Sequence, residues 1–181
     1  MVKNFFTGCE RTRTNTVTFS QLATITDVLI TDLTDNATVE IIPSGLGTYE
    51  FSIDLPDGPF QSSSFFKDVN PGIHTVYVHD IGRCGTAEKM IAVLGAPKFF
   101  TPNGDGYNDT WKVLGINSVF YKNSKMFIFD RFGKVVKEVA GRNEEGWDGT
   151  YKGQPLPADD YWFVLNVDDG RTAKGHFALK R

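Results

Sequence analysis

The feature that most constrains this chain is alternation. Short runs in which apolar and polar residues take turns are broken every few positions by Gly, Pro, Asn or Asp. A strand sends successive side chains to opposite faces, so a period of two marks one buried and one wet face. "TYEFSIDL" puts Tyr49, Phe51, Ile53 and Leu55 on one side, and "NTVTFSQL" sets Val17 and Phe19 against Thr and Ser. "ATITDVLITDL", "ATVEII" ending at Pro43, "GIHTVYVHD" and "TAEKMIAVLG" complete the first half. Turn signals separate them at "PSGLG", "DLPDGP", "NPG" and "DIGRCG". Ser62 to Ser64 reads as a loop or an edge strand. Roughly six or seven strands in about 80 residues is the density of an immunoglobulin-like sandwich.

Past "VLGAP" the turns become denser and tryptophan more frequent, and the strand pattern resumes in "TWKVLGI", "KMFIFDR", "KVVKEV", "DYWFVLNV" and "TAKGHFALKR". Asp169-Gly170 lies between the last two runs as a hairpin turn. Only Asn117 to Lys122 suggests a helix, and then a single turn. Proline cannot continue a central strand, so Gly95 to Pro97 is read as a linker. The expected fold is all-β: two consecutive immunoglobulin-like β-sandwich domains, residues 1–95 and 96–181.

Composition narrows the functional classes. The 15 phenylalanines and an aromatic share of 13% suit strands. A net charge of −3 offers no basic footprint for nucleic acid. The basic run Lys174 to Arg181 is read as a solvated chain end. No apolar run approaches the roughly 20 residues a transmembrane helix needs. "MVKNFFTGCERTRTNT" has no signal-peptide core, which leads to the expectation of a fragment from a larger protein.

Catalysis finds no support. G-x-S-x-G, a P-loop, G-x-G-x-x-G and H-E-x-x-H are all missing. His74 and His79 fall on opposite faces of one strand, and His176 stands alone. Asp159-Asp160 and Asp168-Asp169 are sequential pairs at turns, better suited to capping than to glycoside hydrolysis. Cys9 and Cys84 are too few for a zinc site. They sit at similar offsets before the first and last strands of the first sandwich, so they pair in a disulfide or stay separate thiols.

One loop has metal-binding potential. In "FFTPNGDGYNDTW" the calcium-loop register places Thr101, Asn103, Asp105, Tyr107 and Asp109 at ligand positions, with Gly106 at the sharp turn. Thr101 replaces the usual first Asp, and Lys112 replaces the closing Glu. The same residues suit a metal-free turn in which Asn and Asp cap backbone amides. A separate alternative is a carbohydrate-binding module using Trp111, Trp147 and Trp162, although Trp162 lies in a strongly apolar run and suits the core.

Several motifs of the second half occur together: Pro102, Asn103, Gly104, Asp105 and Gly106; Asn108 and Asp109; Asp130, Arg131, Phe132 and Gly133; Trp147, Asp148 and Gly149; Leu156 and Pro157. In this order they resemble the gliding-motility-associated C-terminal domain of Bacteroidota, the type B sorting domain of type IX secretion. Phe132 stands where that family more usually has Trp, and Asp160 where it has Gly. The first half is similar to the immunoglobulin-like repeats that precede this domain in large surface adhesins. The resemblance implies a non-enzymatic secretion signal, read by the outer-membrane type IX machinery, on a larger secreted or cell-surface protein. The last strand, with Phe177, Leu179, Lys180 and Arg181, is the expected recognition element, although Phe177 and Leu179 equally suit closing the sheet.

Overall fold

The computed structural model describes residues 2–3, 10–11, 13–14, 20–140 and 145–181. The expected strand through Val17 and Phe19, and Cys9, lie outside the described residues. Every regular element among the described residues is a strand, so the all-β expectation holds.

In the first half, β1 (Val2–Lys3) pairs with β2 (Glu10–Arg11). There follow β3 (Thr24–Thr31), β4 (Thr38–Ser44), β5 (Tyr49–Ile53), β6 (Phe65–Phe66), β7 (Gly72–Asp80) and β8 (Thr86–Val93). Two three-stranded sheets result, in the orders β3-β4-β6 and β5-β7-β8. Alternate residues of each face inward, and Val39, Ile41, Phe51, Val76, Val78 and Ile91 form the buried cluster. Burying each such side chain contributes about 1.5–3 kcal/mol before conformational entropy is subtracted.

The second half contains β9 (Phe99–Phe100), β10 (Lys125–Phe129), β11 (Val135–Ala140), β12 (Thr150–Tyr151), β13 (Gln154–Pro155), β14 (Asp159–Asn166) and β15 (Thr172–Leu179). Its main sheet has the order β11-β10-β14-β15-β9, antiparallel except for the parallel β15–β9 pair at the edge. Met126, Ile128, Tyr161, Phe163, Leu165, Phe177 and Leu179 point into one core. The opposing layer is assembled from short pieces: the β12–β13 hairpin and the segments carrying Trp111 and Trp147.

Several local expectations are corrected. β4 does not end at Pro43 but continues to Ser44. Pro43 faces Ile25 beside a register shift in β3, where a residue without an N–H is tolerated. Leu55 does not join Tyr49, Phe51 and Ile53: β5 ends at Ile53, Asp54 turns to a φ of 61°, and Leu55 is exposed. "TWKVLGI" makes only two isolated bridges, Trp111 to Trp147 and Leu114 to Gly95. Asn117 to Lys122 is not helical, because Asn117 Oδ1 accepts the amides of Val119 and Phe120 and holds a turn. Ser62 to Ser64 is a loop leading into β6. The Asp169-Gly170 hairpin forms as expected, with Val167 donating to the Arg171 carbonyl at 2.8 Å and Gly170 at a φ of 92°.

Candidate functional site

The 101–109 loop is organised around one carboxylate. Asp109 Oδ1 accepts the amides of Asn103 (3.0 Å) and Gly104 (2.6 Å), and its Oδ2 accepts that of Gly106 (2.7 Å). These bonds, Gly104 first and then Gly106, hold the Asp109 carboxyl below the ordinary aspartate range; burial opposes them and Asn103 adds to them. Gly104 and Gly106 take φ values of 79° and 88°, which turn their amides toward this acceptor. Asn103 and Asp105 grip each other: Asn103 Oδ1 accepts the Asp105 amide, and Asn103 Nδ2 donates to Asp105 Oδ2 at 2.8 Å. Asp105 Oδ1 then accepts the Tyr107 amide, and Thr101 Oγ1 donates to the Tyr107 carbonyl at 3.4 Å.

All five proposed calcium ligands thus already bond within the loop. Asp109, the strongest donor of the set, faces amide protons, and a cation there would have to displace them. No group of three or more His, Cys, Asp or Glu stands together as a metal set among the described residues. The hydrogen bonding suits a metal-free turn, with the acidic residues acting as internal acceptors.

The same use of Asp recurs at the other two motifs. Asp130 Oδ1 accepts the amides of Phe132 (2.9 Å) and Lys134 (3.0 Å), closing the β10–β11 turn with Gly133 at a φ of 78°. Arg131 lies 3.4 Å from Asp159 and over the ring of Phe132, which is 81% exposed. Asp148 Oδ1 accepts the amide (3.0 Å) and hydroxyl (2.8 Å) of Thr150. Burial pushes the Asp148 carboxyl upward, but the Thr150 bonds, its own backbone amide and the nearby Lys137 charge together bring the net direction down. Gly149 lies against the core, where an added Cβ would meet Leu179 at 2.9 Å and Phe100 at 3.3 Å. Its carbonyl accepts the Leu156 amide at 2.9 Å, which ties in the Leu156-Pro157 element.

Two of the three proposed glycan-stacking tryptophans are buried. Trp111 and Trp147 exchange backbone hydrogen bonds at 2.8 Å in both directions. Both side chains are fully buried, and their indole N–H groups donate to the carbonyls of Pro97 and Thr150. Trp111 stacks on Phe177 with centroids 3.7 Å apart, and Trp147 meets Tyr161 edge-on. Trp162, expected in the core, is 43% exposed, because β14 turns Tyr161 and Phe163 inward and leaves Trp162 on the outer face.

The terminal strand divides in two. Phe177 and Leu179 are buried and close the sheet. Lys180 lies over the ring of Phe99, and Arg181 Nε donates to the Leu156 carbonyl at 3.1 Å. Cys84 is an exposed free thiol, while its proposed partner Cys9 lies outside the described residues.

Sequence reasoning passed over one node. Asp32, with a side chain 4% exposed, accepts Arg171 Nη1 on Oδ1 at 2.7 Å and the Leu94 amide on Oδ2 at 3.0 Å. Arg171 also reaches Asp169 and the Tyr121 hydroxyl, and Leu33 donates its amide to the Leu94 carbonyl. These bonds link the β3–β4 turn of the first core to the β14–β15 hairpin of the second. "ITDLTDN" shows only a turn, and the partner lies 139 residues away.

Residues 94–179 match the family described as the CHU_C type IX secretion signal domain. The chain is similar to the solved structure of PorZ, an essential bacterial surface component of the type-IX secretion system of Porphyromonas gingivalis. That likeness has 14% identity over 88% of this chain and 23% of the other, with a TM-score of 0.39. Dimeric latent PorU from the same organism shares 16% identity over 87% of this chain and 20% of its own, with a TM-score of 0.33. The BSP domain of a biofilm-associated protein shares 12% identity over 84% and 29%, also at 0.33. Likeness at this level carries no argument about role, and this chain spans less than a third of each of those structures. No curated protein matches.

Proposed function

Since residues 94–179 match the CHU_C family of type IX secretion signal domains, we propose that they direct a larger surface protein through the type IX machinery of the outer membrane, with residues 1–95 as a stalk-like, immunoglobulin-like repeat. The observation that carries this reading is a coincidence of limits. The matched segment runs from Leu94 to Leu179, and these are the first and last residues of the second buried cluster. The unit matched as a signal is therefore also a unit of packing.

The role is non-enzymatic. The acidic residues of the family-like motifs serve as acceptors for backbone amides, which is the chemistry of a rigid scaffold. The cargo is an adhesin delivered to the medium or the cell surface. The proposed domain division, after residue 95, is supported by Val93 packing in the first cluster and by the Pro97 carbonyl accepting the Trp111 indole. The 101–109 loop acts as a metal-free turn. No helix among the described residues is long and apolar enough to cross a membrane.

Fusion of residues 94–181, and separately of 1–181, behind a reporter with its own signal peptide tests the role in a type IX-competent cell. Both fusions are expected outside the inner compartment; retention of both in the periplasm refutes the reading. For the loop, a thermal melt in roughly 5 mM calcium is expected to match one in chelator. A calcium-dependent rise in Tm would restore the cation.

A further inference from the structure

The sheet of the second half has one edge left half covered. Ala178 and Lys180 donate their amides to the carbonyls of Lys98 and Phe100, at 2.9 and 3.0 Å, so these amides face β9. Alternate residues of a strand aim their amides the same way, so those of Thr172, Lys174 and His176 face that side too. The hairpin gives the same phase: Val167 bonds to Arg171, which makes Leu165–Ala173 the next bonded pair and turns Thr172 and Lys174 away from β14. Yet β9 covers only Ala178 and Leu179. It stops there because Pro97 has no N–H to offer and Gly95 pairs with Leu114 instead. Among the described residues, no strand pairs with the backbone edge from Thr172 to His176.

This edge borders a cavity of about 470 Å³ lined by Asp32, Leu33, Ala96, Phe163, Ala173 and Lys174. One wall is the β3–β4 turn of the first core and the other is β15, and the Arg171–Asp32 ion pair closes the end beside Thr172. An added strand would turn every second side chain inward, toward Leu33, Ala96 and Phe163, where small or apolar groups fit. Its other side chains would lie beside Thr172, Lys174 and His176, all exposed. Lys174 has no ion pair among the described residues, and the His176 ring lies beside that of Trp162. Lys180 adds a second positive charge further along the strand, over the Phe99 ring. In a chain of net charge −3, this edge favours an acidic neighbour. A second copy is disfavoured, because two-fold pairing centred on this edge would set Lys174 opposite its own counterpart.

We propose that the open edge of β15, Thr172 to His176, takes up an extended acidic peptide segment of a partner protein as an added strand. The inference deepens the sorting reading by naming the surface and the chemistry through which a component of the export machinery would engage the signal. Main-chain bonds would supply affinity, and the alternating acidic and apolar side chains would supply selectivity.

The test uses the full chain and a fluorescein-labelled hexapeptide of alternating Glu and Val. Its controls are the Lys–Val counterpart and the Glu–Val peptide N-methylated on alternate amides. Anisotropy is expected to show binding of the Glu–Val peptide alone. Hydrogen exchange is expected to slow at the Thr172, Lys174 and His176 amides. Lys174→Glu should weaken binding about tenfold, while Lys137→Glu, on the opposite edge strand, should not. Should Lys174→Glu fail to fold, the exchange pattern of the unaltered chain decides. Four outcomes overturn the proposal: no binding, equal binding of the Lys–Val peptide, protection at β11 instead, or protection of the β15 edge that grows with chain concentration without peptide. A chain that binds the peptide but fails in the reporter assay refutes the sorting role alone. One that is exported without binding refutes the edge alone.

Discussion

At the scale of single residues, the motif positions place backbone amides and close packing gaps. Gly149 is the sharpest case, with a φ of 76° and no room for a Cβ beside Leu179 and Phe100. Gly149→Ala is expected to cost about 1–3 kcal/mol, from strained backbone and overpacking together, measured by denaturant unfolding. An unchanged midpoint would show that the site yields more easily than the contacts imply. Asp109 gives a pH test. Its folded pKa lies below the unfolded value of 3.8, so its stabilisation is present above 3.8 and is lost as pH falls through the folded value. The amide resonances of Gly104 and Gly106 are expected to titrate with a midpoint below 3.8; one at or above 3.8 would contradict the bonding. That this loop was a turn could be read from its Asn, Gly and Asp. Which amides its carboxylates accept could not, because the same spacing suits a cation as well.

At the scale of elements, alternation was the reliable signal and neighbourhood the missing one. β7 and β14 were readable because inward residues recur every second position over eight or nine residues. β9 was missed because two residues cannot display a period; only the flanking Pro97 and Pro102 hint at a short extended piece. Trp111 sits in a run with strand composition, yet its partner is the turn at Trp147. Trp162 misled in the opposite direction, since an apolar strand on a one-layered sheet still has an outer face. The two positions therefore separate in experiment. Trp147→Ala is expected to lose about 3–5 kcal/mol, and Trp162→Ala no more than about 1 kcal/mol, by the same unfolding measurement. Similar losses at both would mean that the outer face of the sheet is covered.

At the scale of the whole molecule, two cores are joined by a short Gly-Ala-Pro segment and by the Asp32 node. Asp32→Ala removes the partner of Arg171 and of the Leu94 amide. Each core retains its own packing, so the expected change is freedom between them: amides of β7 and β14, which should share one rotational correlation time in the native chain, are expected to report different ones by NMR relaxation. Equal times in the variant would assign the coupling to the remaining links, the Leu33–Leu94 bridge, the Lys98–Asp35 ion pair and apolar contact. The node was not legible in sequence, since nothing local marks Asp32 as the partner of an arginine in a distant hairpin. The parallel pairing of β9 and β15 has a mechanical consequence. The chain enters the second core through β9 and leaves it through β15, and these two lie side by side pointing the same way. A tension along the chain would draw them in opposite directions along their length. The bonds from Ala178 to Lys98 and from Lys180 to Phe100 would then be loaded together in shear, the geometry in which a sheet resists force, instead of being unzipped one by one.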